Sequence, residues 1–108
     1  MDNSVIERKS IGDLFGSFSN TRRYAREKAK INRAKRKNLH YILAIESSAI
    51  DVTKGYEYSR KAGIAQVRQI MTIQRKYGIE VWWCAGRIEM AFRIQEYFLA
   101  QERVKTRR

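Results

Sequence analysis

The chain has 108 residues and a mass of 12.8 kDa, which limits it to a single domain over 1–108. With 44% hydrophobic and 31% charged residues it can build a core, so the composition of a disordered chain is excluded. Its 23 Lys plus Arg against 11 Asp plus Glu leave +12 at pH 7 and a pI near 10.3, which calls for a polyanion, nucleic acid ahead of an anionic membrane surface.

Met1-Asp2-Asn3-Ser4 lacks the charged and apolar regions of a signal peptide, and no stretch approaches the roughly 20 apolar residues of a membrane span, so no membrane is expected and a cytoplasmic location is. There is no proline, and the 6 glycines fall singly, which argues against linkers or low-complexity segments. Val5 to Lys9 begins with two β-branched residues and runs into a Ser-Ile-Gly-Asp turn, so it predicts a strand feeding a helix. From Ile11 to about Lys37 the apolar positions Ile11, Leu14, Phe15, Phe18, then Tyr24, Ala25, Ala29 and Ile31, predict two helices broken at Ser19-Asn20, an acceptable N-cap pair.

Leu39 to Glu46 is a nearly continuous apolar run of strand length, suited to a central parallel strand covered on both faces. Ser47 to Tyr58 reads as a loop. Ser59 is placed to cap a helix with apolar positions Ala62, Val67, Ile70, Met71 and Ile73, ending at Tyr77 with Gly78 as its stop. Ile79 to Ala85 is a third strand, whose single cysteine, Cys84, reads as a small buried hydrophobe, neither disulfide nor cysteine-rich zinc site. After Gly86 a last helix carries Ile88, Ala91, Phe92, Ile94, Gln95, Tyr97 and Phe98 as one stripe, and 102–108 form a basic tail of the kind often disordered. The alternation of strands and helices predicts an α/β fold, a short, largely parallel sheet with right-handed crossovers flanked by helices.

Glu7 and Lys9 stand two apart on the first strand, so both side chains leave the same face. A carboxylate and an ammonium in one pocket suit metal-assisted phosphodiester hydrolysis, which needs oxygen ligands and cationic groups around a charged transition state. Asp13 adds a carboxylate in the first turn of the next helix. Alone, Glu-x-Lys is also what a soluble surface strand carries.

The longer string Val5-Ile-Glu-Arg-Lys-Ser-Ile-Gly-Asp-Leu14 resembles the signature of the XPF-type structure-specific endonucleases, Glu-Arg-Lys followed by three residues and Asp, in the restriction-endonuclease-like superfamily. Ser17-Phe-Ser-Asn20 with Thr21-Arg22-Arg23-Tyr24 is similar to the family's segment leading into a Gly-Arg-Leu-Tyr helix start. Thr21 stands where glycine is preferred, and Arg26 where glutamine is usual. Tyr41 to Glu46 is similar to the family's apolar strand ending in glutamate, and Ser59 with Tyr77-Gly78-Ile79 to the helix before the last strand.

The resemblance implies a restriction-endonuclease-like fold and a metal-dependent endonuclease acting on branched or flap DNA with Mg2+ or Mn2+. It implies Glu7 and Asp13 as metal ligands, Lys9 as the catalytic lysine and Arg8 as a site arginine, with Arg22 and Glu46 in second rank. The family also has a Gly-Asp pair about ten residues before the glutamate, on a preceding strand, whereas six residues precede Glu7 here and Asp2 is the sole acid among them. The expectation is therefore an N-terminally truncated fold, with Asp2 as a weak third ligand. Three readings stay open: a start further upstream, a homodimeric or other partner chain supplying the missing elements, or a catalytically incomplete DNA-binding subunit. A basic scaffold for RNA is a further rival.

Arg22, Arg23, Arg26, Arg33, Lys35, Arg36 and Lys37, with Lys28 and Lys30, are dense enough to favour DNA backbone contact over a merely solvated helix face. His40 has no neighbouring histidine or cysteine at ligand spacing and reads as packing or loop. Trp82-Trp83 read as core on opposite faces rather than as a stacking platform.

Overall fold

The computed structural model describes residues 3–106, with side chains described as far as residue 103. Strand β1 (Ser4–Lys9) ends at Ser10, whose extended backbone and hydroxyl cap helix α1 (Ile11–Ser19), the Ser10 Oγ accepting from the Asp13 N–H at 3.1 Å. Asn20 repeats the device for α2 (Thr21–Arg36), its Oδ1 accepting from the Arg23 N–H at 3.1 Å, so the chain breaks where the sequence predicts. Then follow β2 (His40–Ile45), α3 (Ala49–Thr53), α4 (Gly63–Tyr77), β3 (Glu80–Trp83) and α5 (Arg87–Thr106). Gly78 closes α4 with φ of 64°, a left-handed conformation that glycine adopts without steric penalty.

The strands lie in the order β1-β2-β3, both pairs parallel, with Glu7 opposite Leu43, Lys9 opposite Ile45 and Leu43 opposite Val81. This three-stranded parallel sheet flanked by five helices is the restriction-endonuclease-like α/β arrangement the sequence points to. The central strand β2 is buried from Tyr41 through Ile45, because helices cover both of its faces. Leu43 and Ile45 face the larger core, with Leu14, Phe15, Ile31, Ile70 and Ile73. Ile42 and Ala44 face the smaller one, with Trp82, Cys84 and Met90 of the α5 layer. Each large aliphatic side chain buried this way contributes about 1.5–3 kcal/mol. The two tryptophans divide as expected: Trp82 joins the smaller core and Trp83 packs on the larger.

Several local expectations are corrected. The segment after β2 is not all loop, since Ser48 caps the single turn of α3, accepting from the Asp51 N–H at 3.1 Å, and Val52 anchors it in the core. One turn with one apolar anchor is too short to show a period. Ser59 does not cap α4; its Oγ accepts from the Lys61 N–H in a turn, and Ala62 takes the cap position without a side-chain bond. Helix α4 starts at Gly63 because α3 presses on it there: a Cβ on Gly63 would stand 2.2 Å from the Val52 carbonyl oxygen.

The stripes shift too. On α2 Ala25 and Ala29 are exposed and the buried line is Glu27, Ile31 and Ala34, because alanine favours helix whether buried or not. On α4 Met71 is exposed and Gln66 is buried. On α5 Met90, Ile94 and Tyr97 meet the sheet, while Ile88, Phe92, Phe98 and Leu99 are exposed. Residues 102–106, expected as tail, continue α5, and Arg107 and Arg108 lie outside the described residues. Among the described residues no helix is long and apolar enough to cross a membrane.

Candidate active site and nucleic-acid face

The pleat of β1 sends Glu7 and Lys9 to the side of α1 and α2, as their spacing requires. Lys9 is 7% exposed, and Glu7 is partly buried beside it, with Lys9 Nζ 3.7 Å from Glu7 Oε1. Two residues that the sequence reading did not single out complete the pocket. Ser17 of α1 accepts a hydrogen bond from Lys9 Nζ at 3.0 Å, and Glu27 of α2 accepts another at 2.6 Å on Oε1. Lys30, one turn further along α2, reaches Glu7 Oε1 at 3.0 Å and Glu27 Oε1 at 3.6 Å.

Glu27 was recoverable from the sequence, since it lies on one helix face with Tyr24, Ile31 and Ala34, which stand three, four and seven residues from it. A carboxylate in the middle of a core stripe is uncommon unless it is paired. Ala25 and Ala29 mark an apparent apolar stripe about half a turn away from it.

Charge in this pocket is strongly coupled. The hydrogen bond that Lys30 donates to Glu7 holds its ammonium above its ordinary pKa, against the opposing effect of burial. The Tyr41 phenol is pushed up well beyond its usual value, mainly by burial and then by the Glu7 and Glu27 carboxylates. Lys30 and the Tyr41 phenol therefore keep their protons at neutral pH.

The other sequence-derived positions disperse. Arg8 alternates to the opposite, α5, side of β1 and is exposed. Asp13 is exposed at the third residue of α1, and no hydrogen bond or ion pair joins its side chain to Glu7 or Lys9. Glu46 follows β2, its N–H donating to the Lys9 carbonyl at 2.8 Å, but its carboxylate turns to Arg87 of α5 at 3.5 Å. Asp2 lies outside the described residues. His40 is exposed and bonded to Glu80 at 2.7 Å, a strand-end pair rather than packing.

Arg22, Arg23, Arg26, Arg33, Lys35, Arg36 and Lys37 are all exposed, as a DNA-contacting set must be. Helical geometry sorts them: Arg22, Arg26, Lys30, Arg33 and Lys37 recur every three or four residues and form one row. From Arg26 to Lys37 that row runs about 16 Å at 1.5 Å per residue. Its far end borders a cleft of about 200 Å³ where Lys30, Arg33 and Lys37 stand with Glu7 over Val5 and Tyr41. Lys35 lies off the row, its Nζ 4.0 Å from where a Gly78 side chain would begin.

Among the described residues no group of three or more His, Cys, Asp or Glu is placed to hold a metal ion. The pair Glu7 and Glu27 still fits the hard, oxygen-liganded cations that take one or two carboxylates and complete their shell with water and phosphate. In support, Glu27 Oε2 is buried without any hydrogen-bond partner.

Neither a curated protein nor a solved structure gives a match to the chain. The family model of the ERCC4 domain matches residues 1–96. That span takes in β1 with Glu7 and Lys9, both site helices and the whole sheet, and the chain belongs to the ERCC4 domain family, a nuclease family of DNA repair consistent with the XPF-type signature in its sequence.

Proposed function

We propose that this chain is a metal-dependent DNA endonuclease of the XPF type that hydrolyses phosphodiesters in branched or flap DNA. The observation that carries the reading is the pairing of Glu7 and Lys9 on one face of β1, 3.7 Å apart, directly beside a cleft edged by Lys30, Arg33 and Lys37. The row on α2 binds successive phosphates and releases their counterions. Glu7 holds Mg2+ or Mn2+, which supplies Lewis-acid stabilisation of the charge that develops on the phosphate. Lys9 lies at the floor of the pocket, held by Ser17 and Glu27, and places a fixed positive charge there. Water attacks phosphorus, one P–O bond breaks, and the leaving oxygen takes up a proton.

Asp13 and Asp2 stay in this reading as supporting acids, with Arg8, Arg22 and Glu46 in outer roles. Partner chains, either a second copy or another protein, have the unpaired outer edge of β1 as a place to add a strand. The location expected is cytoplasmic. The second reading, a catalytically incomplete DNA-binding subunit, is favoured by a specific observation: among the described residues only two carboxylates meet in the pocket, and each is already paired with lysines through one oxygen.

The purified chain is incubated with labelled flap and duplex DNA in Mn2+ or in chelator. The expected result is metal-dependent cutting that is lost in Glu7→Gln and Lys9→Ala while binding persists. Binding without cutting in Mn2+, unchanged in Lys9→Ala, overturns the nuclease reading in favour of the binding subunit. Neutralising Arg26, Arg33 and Lys37 together lowers affinity and reduces the slope of log affinity against log salt by about 1 per residue.

A further inference from the structure

Four charges close a ring on the α2 side of β1. Lys9 Nζ stands 2.6 Å from Glu27 Oε1 and 3.7 Å from Glu7 Oε1, and Lys30 Nζ stands 3.6 Å and 3.0 Å from the same two oxygens. Two carboxylates thus share two cations, using one oxygen each. The second oxygen of Glu27, Oε2, is buried and has no partner, although its side chain is only 6% exposed. Buried carboxylate oxygens are ordinarily satisfied, because leaving one bare forfeits hydration that nothing replaces. Glu27 also occupies a core position between Tyr24 and Ile31, where an apolar side chain would serve folding at least as well. Neither the ion pair nor the packing accounts for a carboxylate here with an oxygen to spare.

We propose that Glu27 is the second carboxylate ligand of a divalent-cation site shared with Glu7, a position that the Lys30 ammonium fills when the cation is away. The proposal deepens the reading that Glu7 is a metal ligand, and rests on it. Mg2+ and Mn2+ sites commonly use one or two carboxylates, leaving the remaining positions to water and substrate phosphate. Glu7 and Glu27 flank a single point already occupied by positive charge, and the spare Oε2 gives Glu27 an extra lone-pair site without breaking its bond to Lys9. The two lysines differ in what they are free to do. Lys9 has a side chain 9% exposed and is fixed by Ser17, whereas the Lys30 side chain is 44% exposed and borders the cleft with Arg33 and Lys37. Lys30 therefore moves out to a phosphate as the cation enters, and Lys9 remains beside the metal. Asp13 is not a direct ligand here, since its side chain is exposed and bonds to neither Glu7 nor Lys9.

The test is Mn2+ binding to the intact chain, read from the loss of the free-ion electron paramagnetic resonance signal, with Mg2+ competition. Wild type is expected to bind one Mn2+ that Mg2+ displaces. Glu7→Gln and Glu27→Gln are each expected to weaken it at least about 10-fold, as loss of a ligand should cost no less than the 10- to 100-fold of an outer-shell change. Lys30→Met is expected to tighten it about 10-fold, because a competing cation within 4 Å is removed. Glu27→Gln strands the buried Lys9 charge and risks unfolding, so Lys9→Met is also compared with Lys9→Met/Glu27→Gln, in which no buried charge is stranded. Circular dichroism establishes that each is folded. Weakening by Glu7→Gln with equal affinity in that pair overturns the role of Glu27 and leaves the metal role of Glu7 standing. Equal affinity in Glu7→Gln as well, or no Mn2+ bound by wild type or Lys30→Met, overturns both.

Discussion

Replacing Lys9 by Met and Glu27 by Leu, singly and together, tests whether the buried pair at the site is a folding device or a functional one. The two side chains are 9% and 6% exposed and 2.6 Å apart, so each single change strands an almost fully desolvated charge. Breaking a buried pair in this way costs about 3–5 kcal/mol. Glu27 retains Lys30 at 3.6 Å, and Lys9 retains Glu7 at 3.7 Å, and this residual pairing places both singles near the low end, about 3 kcal/mol. The double variant leaves no stranded charge and puts two apolar side chains against the Leu14 and Ile31 core, so it should be within about 1 kcal/mol of wild type or more stable. Urea unfolding monitored by circular dichroism gives all four free energies, and the cycle should show about 5 kcal/mol of coupling. If the double variant costs the sum of the singles, within about 0.5 kcal/mol, the buried-pair account is refuted. If the double is as stable as wild type, the pair is held for something other than folding, as the metal-site proposal requires.

Three further outcomes follow from packing and charge. Gly63→Ala should destabilise by more than about 2 kcal/mol, because its Cβ meets the Val52 and Thr53 carbonyl oxygens at 2.2 and 2.4 Å, whereas Gly12→Ala, facing the far end of the Tyr56 side chain with its hydroxyl at 3.0 Å, should be near neutral. Equal losses in thermal melts would refute the close-approach argument. Gln66 is fully buried with neither amide atom partnered, so Gln66→Met should raise stability by about 1–2 kcal/mol, and a loss in urea unfolding would show an unseen partner. Hydrogen bonds from His40 and then Trp82 hold the Glu80 carboxyl below its ordinary value of 4.5, so its contribution is present above pH 4.5 and disappears as pH falls through the lowered value. Its side chain is 44% exposed and screened by solvent, so Glu80→Gln should cost about 0.5 kcal/mol at pH 7 and nothing near pH 2. A deficit that persists at pH 2 would refute the linkage.

Strand-length apolar runs, capping residues and glycine stops are local signals, and they located β1, β2, β3, the break at Asn20 and the Gly78 terminus from sequence alone. The period of two in β1 likewise determined that Glu7 and Lys9 share a pocket, because alternation is a property of any strand. Which face of a helix is buried is not local in that sense. Alanine and methionine tolerate either environment, so the stripes of α2, α4 and α5 were decided only when the helices docked on the sheet. Glu27 and Ser17 lie 18 and 8 residues from Lys9, and their approach to it depends on how α1 and α2 fold back over β1. That docking also left Asp13 in solvent and turned Glu46 toward α5. The sequence alone determined the family signature and the strand that bears it; the tertiary structure decided which charges meet there, because a pocket assembled from three elements is fixed by their packing and not by the spacing within any one of them.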